Sequence, residues 1–295
     1  MNLNTLININ KKKFDLKFKK LLNNKLDKSI LSKAMYYGSI NGGKRIRPFL
    51  VMESAKIAKI SLNDAFVIAS SIECIHSYSL IHDDLPSMDN DDYRRGKLST
   101  HKKFNEATAI LAGDALHDLA FELISGNLND KNYISKIKLI NYLSLCIGHK
   151  GLALGQALDL DFENKKLSKN KILDMYSRKT GKLFEFSFSA PFILKDKSKT
   201  DIHFAKEYGM LFGLIFQVID DLIDEIGTFK KIGKTPGKDV KQGKSTLLGL
   251  IGERQVINFC KDKINNFANK HKRRLNKDPL IRVDLHQKRQ HEHLH

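Results

Sequence analysis

Apolar positions fall at helical spacing along most of this chain. Phe14, Phe18, Leu21, Leu22, Leu26, Ile30, Leu31 and Ala34 predict one or two outer helices over 11–35. From Ala65 the buried stripe continues through Ile68, Ile72, Ile75 and Ser79 at three- and four-residue steps. Ser61 with Asp64 reads as the capping box that opens that helix, and Pro86 as the residue that ends it. Helical patterns recur over about Glu106–Ile124, where Gly113 and alanines permit close packing, over 133–160, and after an N-cap at Ser168. Leu214, Ile215, Val218, Ile219, Leu222 and Ile223 make a later helix apolar nearly all round, which predicts burial. Strand-type alternation is scarce and no Pro/Gly/Ser-rich linker divides the chain, so the expected class is all-α with one domain over 1–270. The spacing then fails, and 271–295 predicts an irregular basic tail containing His286, His291, His293 and His295.

Two acidic clusters interrupt the apolar pattern. The first helix discharges Asp83, Asp84, Asp89, Asp91 and Asp92 at its C-terminal mouth, followed by Arg94 and Arg95. Carboxylates there oppose the helix dipole, so a counter-charge is required. A lone DDxxxxD would read as a solvated turn. The second cluster changes that reading: Asp220 and Asp224 lie one turn apart on one face, beside Asp221 and one turn after Gln217. Aspartates buried without counter-charge would cost several kcal/mol each. Facing clusters holding a hard, oxygen-preferring cation and an anionic ligand remove that cost, which points to magnesium, with manganese the other candidate.

The net charge of +18 invites a nucleic-acid reading. The excess, however, is concentrated in residues 1–33 and 261–295, lysine outweighs arginine, and no nucleic-acid motif is present, so nucleic acid is not an expected partner. Cys74, Cys146 and Cys260 are far apart and lack CxxC spacing, which suits a reduced, cytoplasmic protein. The opening MNLNTLININKKK has no signal-peptide core, and no run of apolar residues is long enough to span a membrane. GKST at 243–246 lacks the earlier glycine and the strand that a phosphate-binding P-loop needs.

Together GGKRIRP, DDLPSMD, the Lys179–Thr180 pair, the second aspartate cluster and GKTPGKDVKQGKST resemble the trans-isoprenyl diphosphate synthases, over about Leu31–Leu250. The nearest subgroup is the bacterial-type farnesyl diphosphate synthases. The resemblance implies a single helical bundle of the isoprenoid synthase type around a deep central cavity, acting as a homodimer. It implies metal ligation by Asp83, Asp84, Asp89, Asp220, Asp221 and Asp224. Lys44, Arg47, His76 and Arg95 match the residues that hold isopentenyl diphosphate. Arg94, Lys179, Lys234 and Lys244 match residues near the allylic diphosphate, and Thr180 and Gln217 would face developing positive charge. Gln156 and Asp159 would edge the cavity. Tyr78, five residues before Asp83, and the small Ser79 beside it would set product length. The implied reaction is head-to-tail condensation of isopentenyl diphosphate with dimethylallyl and then geranyl diphosphate.

Four alternatives compete with farnesyl diphosphate synthesis. A geranyl or geranylgeranyl diphosphate synthase differs only in product length. A metal phosphohydrolase could use the His82–Asp83 doublet but leaves the second cluster unexplained. A terpene cyclase leaves the second diphosphate set unexplained. A silent synthase subunit is opposed by the intact aspartates in both clusters and favoured by the divergent tail.

Overall fold

The computed structural model describes residues 2–129, 133–226 and 243–277. Helices α1 (Leu3–Lys25), α2 (Ile30–Ile40), α3 (Ile46–Ala58) and α4 (Leu62–Asp83) lead into α5 (Thr100–Lys103), α6 (Glu106–Asn127), α7 (Tyr133–Ile147) and α8 (Leu152–Asp161). Next come α9 (Lys169–Tyr176), a π-helical turn (Ser177–Gly181), α10 (Lys182–Leu194) and α11 (Lys199–Ile226). The described chain closes with α12 (Leu247–Ile251), α13 (Glu253–Lys270) and α14 (Lys272–Lys277). The all-α expectation therefore holds.

The caps are the ones the side chains dictate. Ser61 accepts from the Asp64 amide at 3.0 Å, and its hydroxyl donates to the Asp64 carboxylate at 2.7 Å. The other Asp64 oxygen accepts from the Asn129 amide at 2.7 Å, which ties the start of α4 to the end of α6. Fully buried Ile68, Ile72 and Ile75 of α4 pack with Leu116 and Leu123 of α6 and Leu183 and Phe186 of α10. Each such side chain contributes about 1.5–3 kcal/mol of burial. In α10 every residue from Leu183 to Leu194 is buried, as expected of a helix surrounded by others. α4 and α10 thus form the rigid centre on which the site is hung.

Three expectations need correction. The α11 helix is not buried all round: Ile219 and Ile223 are 41% and 38% exposed, on the side where Asp220 also reaches the surface. A two-residue ribbon, β1 (Tyr93–Arg94) paired with β2 (Lys97–Leu98), follows the first acidic loop. Its turn residues Arg95 and Gly96 both have positive φ, 55° and 76°, the geometry of a tight hairpin turn too short to register as a strand pattern. Finally, 271–277 is ordered, not irregular. Arg274 pairs with Asp201, His271 meets Glu207 at 3.0 Å, and Leu275 is buried in the Phe204–Tyr208–Phe267 cluster. Leu275, the pairing of Arg274 with Asp201 and the contacts of His271 with Glu207, Phe204 and Phe267 hold this short helix, too little to leave a periodic signal. The four tail histidines lie outside the described residues.

Candidate active site

The first aspartates are aimed by the loop that follows α4. The Asp89 amide donates to the Asp83 carbonyl at 2.9 Å, Asn90 to Leu85 at 3.0 Å and Asp91 to Asp84 at 3.1 Å, with Asn90 at φ 49°. This tight wrap turns Asp83, Asp89 and Asp91 toward one cavity of about 170 Å³. Asp220 and Asp221 of α11 face it from the other wall, and Asp159 of α8 completes a set of six carboxylates against Arg94, Lys179 and Lys244. Burial pushes the Asp83 carboxyl up to about 7, although Lys179 opposes the shift. Burial also pushes Asp159 up, but Lys179 at 2.6 Å and Lys244 at 3.3 Å outweigh it and hold that carboxyl below its ordinary value. Lys244 also reaches Asp89 at 3.0 Å, so it bridges α8 and the first aspartate loop.

Lys179 and Thr180 owe their placement to the π-helical turn, an irregularity often found at functional sites. Backbones approach it from both sides. A Cβ on Gly155 of α8 would lie 2.1 Å from the Lys179 amide nitrogen, and one on Gly213 of α11 would lie 2.8 Å from the Gly181 Cα. One turn beyond Gly213, Gln217 accepts from the Thr180 hydroxyl at 2.5 Å and donates to Asp221 at 2.7 Å. Tyr176 donates to the same Asp221 carboxylate and accepts from the Leu247 amide at 2.9 Å, which links α9, α11 and α12.

An adjoining cavity of about 290 Å³ shares Leu80, Asp83, Arg94, Lys179, Gln217 and Asp220 with the first. Its other walls bring Arg47, His76, Ser79, Arg95, Thr180 and Gln156 together with Leu152, Leu183 and Phe216. His76 is held well below the ordinary histidine value by burial first and by Arg47, Arg95, Arg45 and Arg94 next. A neutral ring leaves Nε2 to accept from Arg47 Nη1, at 3.3 Å. The Arg47 guanidinium also lies 4.3 Å from the Phe184 ring centroid, and burial lowers its pKa to about 10. Arg47 Nε and both amide atoms of Gln156 are buried without hydrogen-bond partners. Unmatched polar atoms in a cavity wall are the mark of a polar ligand's place.

Most of the expected site residues are therefore brought together, with exceptions. Lys44 is exposed and lines neither cavity. Asp84 is turned away and buried against Arg94, whose Nε donates at 2.8 Å; burial still raises that carboxyl to about 6. Asp224 is buried and lines neither cavity. Tyr78 lines neither one, its ring meeting His82 and His117 edge-on, each at 5.3 Å. Lys234 lies outside the described residues. Asp91 is in the acidic cluster but not among the ligands the resemblance implies, and Tyr176 is not singled out by the sequence at all. Asp91 belongs to the same acidic run as Asp89, whereas nothing local distinguishes Tyr176 from a core tyrosine.

Among the described residues the carboxylates are not closed into a ready ligand set. Their chemistry fits a divalent cation nonetheless: every donor is an oxygen, and among the described residues six carboxylates line the cavity with Arg94, Lys179 and Lys244. Asp83, Asp89, Asp91, Asp220 and Asp221 could hold such ions from the two walls.

An all-helical bundle presenting two aspartate clusters across adjoining charged cavities defines a diphosphate-processing class, and comparison with known proteins agrees. The polyprenyl synthetase family model matches residues 28–277, and the chain belongs to that family. It is 44% identical over 234 residues to the farnesyl diphosphate synthase of Micrococcus luteus, covering 78% of this chain and 79% of that protein. A crystal structure of the Helicobacter pylori geranyltransferase complexed with magnesium and isoprenyl diphosphate superposes with a TM-score of 0.81 at 33% identity, covering 93% of each chain. The apo FPP/GFPP synthase of Zymomonas mobilis gives 0.82 at 30% identity, covering 97% of this chain and 98% of that one. The protein is a short-chain prenyl diphosphate synthase, a prenyltransferase that condenses isopentenyl diphosphate with allylic diphosphates.

Proposed function

We propose that the protein's product is farnesyl diphosphate, formed by adding isopentenyl diphosphate to dimethylallyl and then to geranyl diphosphate with magnesium as the working ion. The observation that carries this reading is the division of charge between the two cavities. Among the described residues the smaller gathers six carboxylates suited to a cation-bound diphosphate, and beyond the Asp83–Asp220 wall the two share, the larger is lined by Arg47, Arg95 and a neutral His76 suited to a second diphosphate without metal.

A bound divalent cation would supply Lewis-acid charge against the leaving diphosphate. Arg94, Lys179 and Lys244 add fixed positive charge at the same wall. Heterolysis of the allylic C–O bond sends the electron pair out with diphosphate and leaves an allylic cation. The Thr180–Gln217 pair places oxygen lone pairs beside it, while Leu80, Leu183 and Phe216 exclude water. Arg47, Arg95 and His76 hold isopentenyl diphosphate so that its double bond attacks the cation. The proton then lost from the new chain passes to the departed diphosphate, so no histidine–carboxylate base is required.

Magnesium, dimethylallyl diphosphate and labelled isopentenyl diphosphate, followed by chromatography of the dephosphorylated alcohols, test the reading. Farnesol as main product supports it; geranylgeraniol or geraniol would reassign the chain length, and free phosphate without condensation would favour a hydrolase. Homodimer formation and a cytoplasmic location belong to the same proposal. Ile110 and Leu111 leave apolar surface on α6, Cys74 and Cys146 are buried without a disulfide, and among the described residues no helix is long and apolar enough to cross a membrane.

Product length gives a further expectation. Tyr78 occupies the α4 position just below the aspartates, wedged between His82 and His117. Its ring lines neither cavity but stands behind Ser79 and Leu80, which do, so removing it in Tyr78→Ala would let the cavity extend past them, and products beyond farnesyl length are expected. An unchanged product profile would show that another group sets the limit.

A further inference from the structure

The loop that enters α3 is bent through left-handed backbone at three positions, Gly42 (φ 93°), Gly43 (φ 102°) and Arg45 (φ 53°). Glycine adopts such a conformation freely, whereas a non-glycine residue keeps it only where its surroundings over-determine it. The surroundings of Arg45 do so. Its side chain is 1% exposed and every donor face of the guanidinium is used: Nε donates to Asp15 of α1 at 2.8 Å, Nη2 to the Ser39 carbonyl of α2 at 2.9 Å, and Nη1 to Glu73 of α4, itself 2% exposed. One side chain thus locks the loop to three helices.

The lock has a register. Glu73 and His76 are three residues apart on one face of α4, and they take Arg45 and Arg47, two residues apart on the loop and α3. From the other side Arg95 Nη1 donates to the Gly42 carbonyl at 2.6 Å, and its guanidinium fills the space a Cβ on Gly43 would need, with Cζ 2.6 Å away. Two of the three arginines that line the larger cavity, Arg47 and Arg95, therefore reach their places against a loop that Arg45 fixes, although Arg45 itself lines neither cavity.

We propose that Arg45, with Glu73 and Asp15, is a positioning residue for the isopentenyl diphosphate subsite: it sets the register that aims Arg47 and Arg95 without touching substrate. This rests on reading the larger cavity as that subsite. Lys179, Asp159 and Asp221 reach the smaller cavity from the π-helical turn, α8 and α11, and the hydrogen bonds of Arg45 go to Asp15, Ser39 and Glu73 instead, although the two cavities share Asp83, Arg94, Lys179 and Asp220.

The test is selectivity. Lysine at position 45 keeps the charge but cannot make three directed contacts at once. Arg45→Lys is expected to weaken calorimetric binding of isopentenyl diphosphate, and raise its KM, by about tenfold, the effect of losing one charge-assisted contact of ~1.4 kcal/mol. The KM for geranyl diphosphate should change less than about twofold, since Arg45 hydrogen-bonds none of the residues that line the smaller cavity. Asp15→Asn, which weakens only the Nε contact, should give a smaller change with the same selectivity, and it decides the matter if Arg45→Lys proves unfolded by circular dichroism. Folded variants in which both substrates weaken alike, or neither does, would overturn the assignment. Wild-type protein that does not bind isopentenyl diphosphate at all would overturn the reading of the subsite itself.

Discussion

Asp83→Asn and Asp220→Asn are each expected to lower kcat by about 10³-fold or more while leaving the fold intact, because metal-assisted charge stabilisation is worth several kcal/mol. The two residues face each other across the walls of both cavities, so either change removes charge from the ion side and from the shared boundary at once. Stability should move the other way, if at all. Burial raises the folded-state pKa of Asp83 to about 7, so between the ordinary carboxylate value and 7 the native state binds more protons than the unfolded chain. Stability contributed by the protonated form is lost as pH rises through that window, and at pH 8 the ionised carboxylate is a cost that asparagine removes. Denaturation at pH 8 without divalent ions should therefore find Asp83→Asn at least as stable as wild type. The thermal upshift that magnesium gives the wild type should shrink in the variant. A variant that loses activity together with its circular dichroism would refute the assignment of Asp83 to chemistry.

The residues legible in the sequence were those whose types are costly unless used. Asp220 and Asp221 stand among apolar neighbours that would expel them, so a partner had to exist, whereas Lys179 and Arg47 were found only through the resemblance of their motifs to the family. Spacing could not tell which face of a loop a carboxylate takes. Asp83 and Asp84 are adjacent, yet one lines both cavities and the other is buried on Arg94. Lys44 and Arg45 are likewise neighbours, and the left-handed backbone at Arg45 sends Lys44 outward while burying the arginine. A single-residue change of φ sign leaves no trace in hydrophobic periodicity. The π-helical turn was hidden for the same reason: one extra residue per turn at Ser177–Gly181 redirects Lys179 within an otherwise ordinary helical pattern. The helix register of α4, by contrast, was visible throughout, because Ile68, Ile72 and Ile75 are all fully buried and fix the face on which His76 and Asp83 emerge.

His76 gives the second large effect, on stability below neutral pH. Burial and then Arg47, Arg95, Arg45 and Arg94 depress its folded-state pKa well below the ordinary 6.5. Asp83, Asp220 and Lys179 line the same cavity, but the charges that act on the ring are those of the arginines. The unfolded chain takes up a proton below about 6.5 that the native ring refuses. The unfolded state therefore binds more protons, and the sign is fixed: the contribution is absent above pH 6.5 and grows as a penalty on acidification. At pH 5, 1.5 units lower, it reaches at most about 2 kcal/mol, roughly thirtyfold in the folding equilibrium. His76→Gln keeps an acceptor for Arg47 and removes the titration. Urea denaturation at pH 8 and pH 5 should show wild type losing up to about 2 kcal/mol more than the variant, whatever the other histidines contribute to both. Equal losses would mean that His76 protonates in the folded protein, and its neutral, Arg47-accepting tautomer would have to be abandoned. The same neutrality implies that the positive charge offered to isopentenyl diphosphate comes from Arg47 and Arg95 and not from the ring, so across pH 6.5–8 its binding should follow the ionisation of the diphosphate and of Asp83, which lines the same cavity, and not that of His76.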